Sequence, residues 1–222
     1  SELFEELKNR IKEEDSSVPY FFNEYWYITR YEKGKQYPIY TRKKDSLTAP
    51  EEILFDCNEL AKGYDYFRLV GLNWSPDNTK VSYGIDTQSR RQYTLYVKDL
   101  LTDEVLDTKI EYTTGSTAWA ADSRHFFYTH KNKVTLRSEQ ILRHDIESPS
   151  AQDVLIFYES DETFSVGVSE TKSSAYIMIT SYSTLTTEQR FLDASDPLGN
   201  FKVIQPRTRG LEYSAADYED NL

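Results

Sequence analysis

The chain has 222 residues, of which 37 are acidic and 26 are basic, so its formal charge is −11. This charge argues against binding to nucleic acid or to an anionic membrane surface, because both are negatively charged. Aromatic residues make up 14% of the chain while glycine and proline are sparse, and this composition is typical of a single all-β domain rather than a disordered chain.

The first 19 residues are predicted to form a helix and a linker. In residues 1–14, apolar side chains recur at helical spacing on one face (Leu3, Phe4, Leu7 and Ile11). The segment Asp15–Pro19 is expected to end the helix, since the residue before a proline is pushed out of the helical region.

From Tyr20 onward the chain is predicted to consist of repeated strands and turns. The clearest copy is Trp74–Tyr83 (WSPDNTKVSY), and a degraded copy is Trp119–Tyr128 (WAADSRHFFY). The related positions Tyr20, Trp74, Trp119, Val168 and Tyr213 lie 54, 45, 49 and 45 residues apart. A period of roughly 40–50 residues with several strands in each period is typical of β-propeller blades.

The repeat predicts an incomplete β-propeller over residues 20–222. Its blades are expected near 20–68, 69–115, 116–163 and 164–209, with the start of a fifth at 210–222. The predicted strands are Tyr25–Tyr31, Tyr37–Arg42, Glu52–Asp56, Leu69–Trp74, Lys80–Ile85, Tyr93–Asp99, Val105–Ile110, Ser116–Ala120, His125–His130, Gln140–Asp145, Val154–Tyr158, Phe164–Val168, Ala175–Ser181, Glu188–Leu192 and Phe201–Gln205. A β-sandwich also has regularly spaced short strands, but it would not explain the constant offset from each anchor to its second strand.

The eight glycines exclude three common site motifs. Their spacing permits no Gly-x-Ser-x-Gly nucleophile elbow, no Gly-x-Gly-x-x-Gly dinucleotide loop and no phosphate loop. We therefore expect no catalytic residue and no cofactor in this chain.

The three histidines are predicted to have structural or surface roles, and the single cysteine to be structural. His125 and His130 lie five apart on one predicted strand, which puts them on opposite faces and defeats a shared metal ion; the same structural or surface role is expected for His144. Cys57 follows a strand-like run and is expected to be a buried thiol, and one cysteine permits no disulfide within the chain.

Two kinds of charged cluster remain. Glu51–Glu52 and Glu159–Glu162 are each predicted to lie in a solvated turn. Arg90 and Arg91 lie between two strands, where they could hold carboxylates on a partner domain or could simply form a charged hairpin tip. Trp74 and Trp119 recur at one blade position, so we expect them to pack between neighbouring sheets rather than bind a ligand.

The whole chain resembles the N-terminal part of the oligopeptidase B (protease II) branch of the prolyl oligopeptidase family. The resemblance is carried by Asp15–Pro19, Tyr25–Tyr27, Thr29–Glu32, Tyr37–Tyr40, Pro50–Leu54, Ser89–Tyr93, Arg190–Asp193 and Lys202–Arg207.

The resemblance implies a seven-bladed propeller, of which about four blades are present here, and a C-terminal α/β-hydrolase domain with a Ser/Asp/His triad. It implies cleavage of short peptides after Lys or Arg, with the propeller restricting access by size. No triad residue has a counterpart in this chain, so the fragment is expected to be inactive. The alternatives are a stand-alone propeller that binds a protein partner and the propeller of a dipeptidyl-peptidase-like enzyme.

The cut propeller is also expected to self-associate. Apolar positions in Tyr176–Ile179 and Phe201–Ile204 are predicted to lie on an uncovered blade face, and uncovered faces of this kind favour association. The compartment, cytoplasmic or periplasmic, stays open.

Overall fold

The structure, a computed structural model, describes residues 2–218. It divides into two compact units, one ending at Arg68 and the other beginning at Leu69. Both are built almost entirely from antiparallel strands, which confirms the predicted all-β class with a short N-terminal helix.

The first unit contains one five-stranded sheet. Its elements are α1 (Glu2–Asn9), β1 (Asp15–Ser16), β2 (Tyr20–Phe22), β3 (Tyr25–Tyr31), β4 (Ile39–Lys44), β5 (Glu52–Asp56) and α2 (Cys57–Leu60). The strands follow the order β1-β3-β4-β5, and β2 pairs with β3 as well. Of these elements, β1, β2 and α2 were not predicted from the sequence.

The N-terminal helix is shorter than predicted and buries none of its residues. After Asn9, a weak helix former, the chain turns through the bonds Arg10 N–H to Leu7 O and Ile11 N–H to Lys8 O, which tighten the helix end. The apolar face of the helix is more than half exposed, with Leu7 at 53%.

Cys57 is buried, as predicted, at 1% exposure. It opens α2, whose N-cap is Asp56: the Asp56 carboxylate accepts the Asn58 N–H at 2.8 Å. Burial and the neighbouring Asp56 charge raise the pKa of the Cys57 thiol to about 12. The thiol is therefore a packing group and not a nucleophile at neutral pH.

The second unit contains two antiparallel sheets. Its strands are β6 (Arg68–Trp74), β7 (Lys80–Asp86), β8 (Tyr93–Asp99), β9 (Ile110–Trp119), β10 (His125–Lys131), β11 (Ser138–Asp145), β12 (Val154–Tyr158), β13 (Ser165–Glu170), β14 (Tyr176–Tyr182), β15 (Thr187–Asp193) and β16 (Lys202–Val203). Strands β6 to β12 form a seven-stranded sheet in chain order, and β13 to β16 form a four-stranded sheet. A short 3-10 helix, Ser150–Gln152, precedes β12.

The seven-stranded sheet exists because β9 pairs on both sides. Ile110 and Thr113 pair with β8, while Thr113 and the residues from Thr117 to Trp119 pair with β10. Between them, Gly115 has φ +87°, and a Cβ there would lie 2.6 Å from Val70 Cγ2 and 2.9 Å from Tyr93 Cγ. A boundary at 115/116 thus falls inside one bent strand, and the four proposed blade limits stay predictions.

Most predicted strands occur within two residues of their expected bounds. The strand predicted at Val105–Ile110 is an exception, because Val105 forms only a bridge to Lys98. The last predicted strand is reduced to β16. Up to Tyr218 the fifth repeat shows only an isolated bridge, and the rest of it lies outside the described residues.

The core of the second unit lies where the two sheets pack together. Its fully buried members come from both sheets: Ala118, Phe127, Ile141, Val166, Ile177 and Ile179. The expectation that the run Tyr176–Ile179 is uncovered is therefore wrong for Ile177, Met178 and Ile179, because the preceding sheet covers part of β14 and Met178 is only 4% exposed. Trp119, at 2% exposure, packs against Phe126 with ring centroids 5.2 Å apart. Both residues lie in the seven-stranded sheet, so the packing of Trp119 between neighbouring sheets stays a prediction.

Candidate functional site

Three hairpins of the second unit share one side. The turns β7–β8 (87–92) and β10–β11 (132–137) are joined by the bond from Lys131 Nζ to the Arg91 oxygen at 2.9 Å. The turn β14–β15 (183–186) lines one pocket with Asp161 and Phe164, and Arg137 Nη1 reaches the Glu159 oxygen beside them at 3.1 Å. The connection from β12 to β13 (159–164) also lies there. We call this side the hairpin rim.

Arg90 and Arg91 lie in the first of these hairpins, which is held by a buried carboxylate. Asp86 is 1% exposed and accepts the backbone N–H groups of Gln88 at 2.8 Å, Arg90 at 3.0 Å and Arg91 at 2.7 Å. Arg91 has φ +54°, a conformation that these bonds stabilise. Both arginine residues are exposed, so the turn presents two cations from a fixed backbone.

The neighbouring hairpin adds positive charge to this surface. Lys131 Nζ donates to the Arg91 carbonyl at 2.9 Å. Burial and then the Arg91 charge lower the pKa of Lys131, while Asp86 opposes them. Lys133 Nζ lies 4.9 Å from the centre of the Tyr112 ring. Arg90, Arg91, Lys131 and Lys133 form what we call the basic patch.

A second cluster on the hairpin rim is buried. The Glu159 carboxylate accepts from Arg207 Nη2 at 2.6 Å and Nη1 at 3.3 Å, while Arg137 Nη1 donates to the backbone oxygens of Glu159 at 3.1 Å and Phe164 at 2.9 Å. Glu159 is only 3% exposed. The prediction of a solvated turn is therefore wrong for Glu159, because an arginine 48 residues away neutralises it.

The chemistry of this cluster is that of a paired ion. Burial acts to raise the pKa of Glu159, but the hydrogen bonds and charge of Arg207 and the Asp161 N–H outweigh it, and the pKa lies below its usual range. The Arg207 guanidinium also lies 3.8 Å above the Phe164 ring and 3.5 Å from Glu188. Arg207 is thus held by two carboxylates and an aromatic face.

A pocket of about 930 Å³ opens beside Arg207, within the size range of ligand pockets. Its lining is Asp161, Thr163, Phe164, Ser183, Thr184, Leu185, Thr186, Arg207, Arg209 and Gly210. The Asp161 carboxylate already accepts from Thr163 Oγ1 at 2.7 Å. The lining offers hydroxyls and charges for binding but no hydroxyl–histidine pair for nucleophilic catalysis.

One group of side chains has the order of a catalytic triad but is closed to solvent. His144 Nδ1 lies 2.6 Å from Asp153 Oδ1, and its Nε2 lies 3.4 Å from Thr108 Oγ1. His144 is 0% exposed, Thr108 is 3% exposed, and the Tyr128 hydroxyl binds the other Asp153 oxygen at 2.8 Å. With no route for a substrate, this group cross-links the strands, which confirms the structural role predicted for His144.

The other histidines are also placed by local contacts. His125 Nδ1 lies 2.6 Å from Asp122 Oδ2 in the turn before β10. His130 lies at the far end of that strand, where burial and then the Lys133 charge lower its pKa. Across residues 2–218, no three metal-ligating side chains come together, and no helix there is long and apolar enough to cross a membrane.

Sequence reasoning found Arg90 and Arg91 but missed the residues that define their surroundings. It did not single out Asp86 or Lys131, and it placed Glu159 in a solvated turn. The one available signal was Arg207, which ends a segment that carries the family resemblance.

Comparison with known proteins gives a consistent result. The family model described as the prolyl oligopeptidase N-terminal β-propeller domain matches residues 1–222. Dipeptidyl aminopeptidase BI of Pseudoxanthomonas mexicana matches 96% of the chain with 36% identity. Protease 2 of Moraxella lacunata matches 100% of the chain with 32% identity. The chain spans 31% and 33% of these relatives, about a third of their length.

Solved structures show the same likeness. Oligopeptidase B from Leishmania major matches 98% of the chain with a TM-score of 0.90 and 28% identity. Oligopeptidase B from Trypanosoma brucei matches 99% of the chain with a TM-score of 0.88 and 29% identity. In each case the chain covers 31% of the solved protein.

Proposed function

The chain belongs to the prolyl oligopeptidase family as its N-terminal β-propeller domain, and from this premise we propose that it is the non-catalytic part of an oligopeptidase B-like serine peptidase. The observation that carries the proposal is the match to two oligopeptidase B structures over almost the whole chain. The parent enzyme cleaves short peptides after Lys or Arg, and its catalytic triad lies in a C-terminal α/β-hydrolase domain.

The propeller acts by exclusion in this proposal. A ring of blades over the active site admits thin, flexible peptides and rejects folded proteins, so specificity comes from what is kept out. The charge of −11 supports this role for basic substrates, because an acidic surface draws in peptides rich in Lys and Arg.

The isolated chain should have no peptidase activity. In residues 2–218 the one hydroxyl–histidine–carboxylate group is buried at Thr108, His144 and Asp153. The test is hydrolysis of a Lys- or Arg-amide reporter by the purified chain, with the full-length parent as the positive control. Turnover that survives repurification and is blocked by a serine-directed inhibitor would contradict the proposal.

Arg90 and Arg91 form an interdomain contact in the parent. Their support is the fixed turn around Asp86, which holds two exposed guanidinium groups on a rim shared with the other hairpins. Carboxylates on the hydrolase domain are the fitting partners, since a guanidinium binds a carboxylate in a bidentate manner.

A second candidate is a dipeptidyl-peptidase-like parent. It is favoured by the 36% identity to dipeptidyl aminopeptidase BI, a higher identity than that to protease 2. Product analysis with the full-length enzyme separates the two. Release of N-terminal dipeptides alone supports the second candidate, whereas cleavage after internal Lys or Arg supports the first.

We also propose that the isolated chain self-associates. Apolar side chains of the second unit remain exposed, with Leu185 and Leu198 each at 65% and Val203 at 43%. Sedimentation equilibrium over a wide concentration range should show a rising mean mass. A strictly monomeric chain at every concentration would contradict this proposal and leave the family assignment intact.

A further inference from the structure

Three strands that do not pair with one another meet at one carboxylate. Glu170, at the end of β13, accepts the backbone N–H of Trp119 on β9 at 2.6 Å and the side-chain amide of Asn73 on β6 at 2.8 Å, both through Oε1. The Asn73 amide also donates to the Thr117 carbonyl at 3.1 Å. β6 and β13 begin predicted blades, and the second half of β9 begins another.

The bonds occupy a strand edge that has no strand partner. Ala120 N–H donates to His125 O across the β9–β10 ladder. In an antiparallel ladder alternate residues point their backbone groups the other way, so those of Thr117 and Trp119 face away from β10. The Glu170 carboxylate accepts the Trp119 N–H of this edge, and the Asn73 amide donates to its Thr117 carbonyl.

The indole of Trp119 adds a second layer to the same junction. Its Nε1 lies 3.1 Å from the Asn73 carbonyl and 3.1 Å from Ser82 Oγ. Ser82 Oγ in turn lies 2.6 Å from Thr117 Oγ1. Burial raises the pKa of Glu170 despite the hydrogen bonds it accepts, so the group is held in place at an electrostatic cost.

We propose that Glu170, together with Asn73, is a clamp that determines the size of peptide the propeller admits. The four-stranded sheet shares no ladder hydrogen bonds with the seven-stranded sheet, so direct ties from β13 to β6 and β9 resist separation of the two sheets. Glu170 makes two such ties from one carboxylate oxygen, and its loss releases β6 and β9 from β13 together. This inference rests on the proposed role of the propeller as a size filter.

The clamp itself is tested in the isolated chain by hydrogen exchange. Glu170→Ala should speed exchange of the Trp119 amide about tenfold, as expected when a buried backbone donor loses its acceptor. Glu170→Gln keeps an acceptor oxygen and should exchange like the wild type. Asp193→Ala is the matched control, because the Asp193 carboxylate accepts bonds from Ser195, two residues on in the chain, at 2.8 Å and 2.6 Å, and within the described residues ties no other strand.

The effect on selectivity is tested in the full-length parent with a series of Lys-containing peptides of increasing length. Glu170→Ala should raise kcat/KM for the longest peptides severalfold relative to a short Lys-amide reporter, while Glu170→Gln leaves the ratio unchanged. If Glu170→Ala does not fold, Asn73→Ala removes one of the two ties and should shift both readouts in the same direction.

The two readouts separate the possible failures. Unchanged exchange at Trp119 in Glu170→Ala would overturn the clamp. Faster exchange with an unchanged length ratio would overturn its role in selectivity. A parent that does not cleave after Lys or Arg would overturn the proposed function, but the exchange result would still support the clamp.

Discussion

Arginine has two different roles on the hairpin rim. At Arg90 and Arg91, the carboxylate of Asp86 binds the backbone, and the guanidinium groups point into solvent. At Arg207, two carboxylates bind the guanidinium itself, and the side chain is only 27% exposed. The position of the carboxylate decides whether an arginine stabilises the fold or is presented to a partner.

This difference separates stability from function in a testable way. Pairing a buried ion makes each member costly to remove, because the survivor is left charged and desolvated. An exposed guanidinium on a fixed turn contributes little to folding and keeps its full capacity to bind carboxylates. Substitutions in the two clusters should therefore change different measurements.

The largest effect is expected for Glu159→Ala. It leaves Arg207 with Glu188 as its remaining carboxylate partner at 3.5 Å, and we expect a loss of about 3 kcal/mol in the free energy of unfolding. Urea denaturation measures it. Glu162→Ala, in the same acidic run but exposed, should change stability by no more than about 0.5 kcal/mol. Equal losses of stability in the two variants would show that the buried ion pair of Glu159 is worth no more than an exposed carboxylate.

A smaller loss is expected for Asp86→Ala. Three backbone N–H groups of the β7–β8 turn lose their acceptor, and we expect a cost of about 2 kcal/mol. Hydrogen exchange at Gln88, Arg90 and Arg91 should quicken with it. Thr87→Ala, the next residue in the chain, leaves the three bonds in place and is the control. Wild-type exchange in Asp86→Ala would mean that the turn holds its shape without this carboxylate.

The pH dependence of stability should follow Glu159. Its pKa is lower in the folded chain than in the unfolded chain, so its contribution is present above the unfolded value of about 4.3 and is lost as the pH falls below it. The difference in stability between wild type and Glu159→Gln should therefore shrink from pH 6 to pH 3. Parallel curves over that range would show that the ion pair adds no pH-dependent stability.

The smallest effect on stability, and a clear effect on the parent enzyme, is expected for the double substitution Arg90→Ala and Arg91→Ala. The isolated chain should change by no more than about 0.5 kcal/mol, while peptidase kinetics of the full-length enzyme change. Lys172→Ala is a matched removal of an exposed cation from the β13–β14 turn, on the opposite side from the hairpin rim. Wild-type kinetics in the double variant would show that both arginines form only a solvated hairpin tip and make no interdomain contact.

Much of the fold was predictable because it depends on neighbours in the chain. The turn Ser75–Lys80 shows why: Ser75 Oγ lies 2.5 Å from Asp77 Oδ1, and its N–H binds the Lys80 carbonyl at 2.9 Å. Residues a few positions apart thus define both the turn and the strands that flank it. Similar short-range patterns explain why β3, β8 and β12 have their predicted bounds.

The candidate site was predictable only in part. The pair Arg90–Arg91 stands out because it interrupts two strand patterns, and the structure places it on a hairpin as expected. The length of α1 was overestimated, because periodicity reports a possible apolar face and not whether that face is buried. The burial of Glu159 was missed because its partner Arg207 has no fixed spacing from it.

The sequence by itself determined the strands, the turns, the repeat and the family, since all of these depend on short-range residue patterns and on recognisable short motifs. Only the tertiary structure decided which charges are buried and which strand edges are closed. Glu159 meets Arg207 across 48 residues and Glu170 meets Asn73 across 97. Contacts of that range depend on how the sheets pack, and packing brings together residues whose separation follows no period.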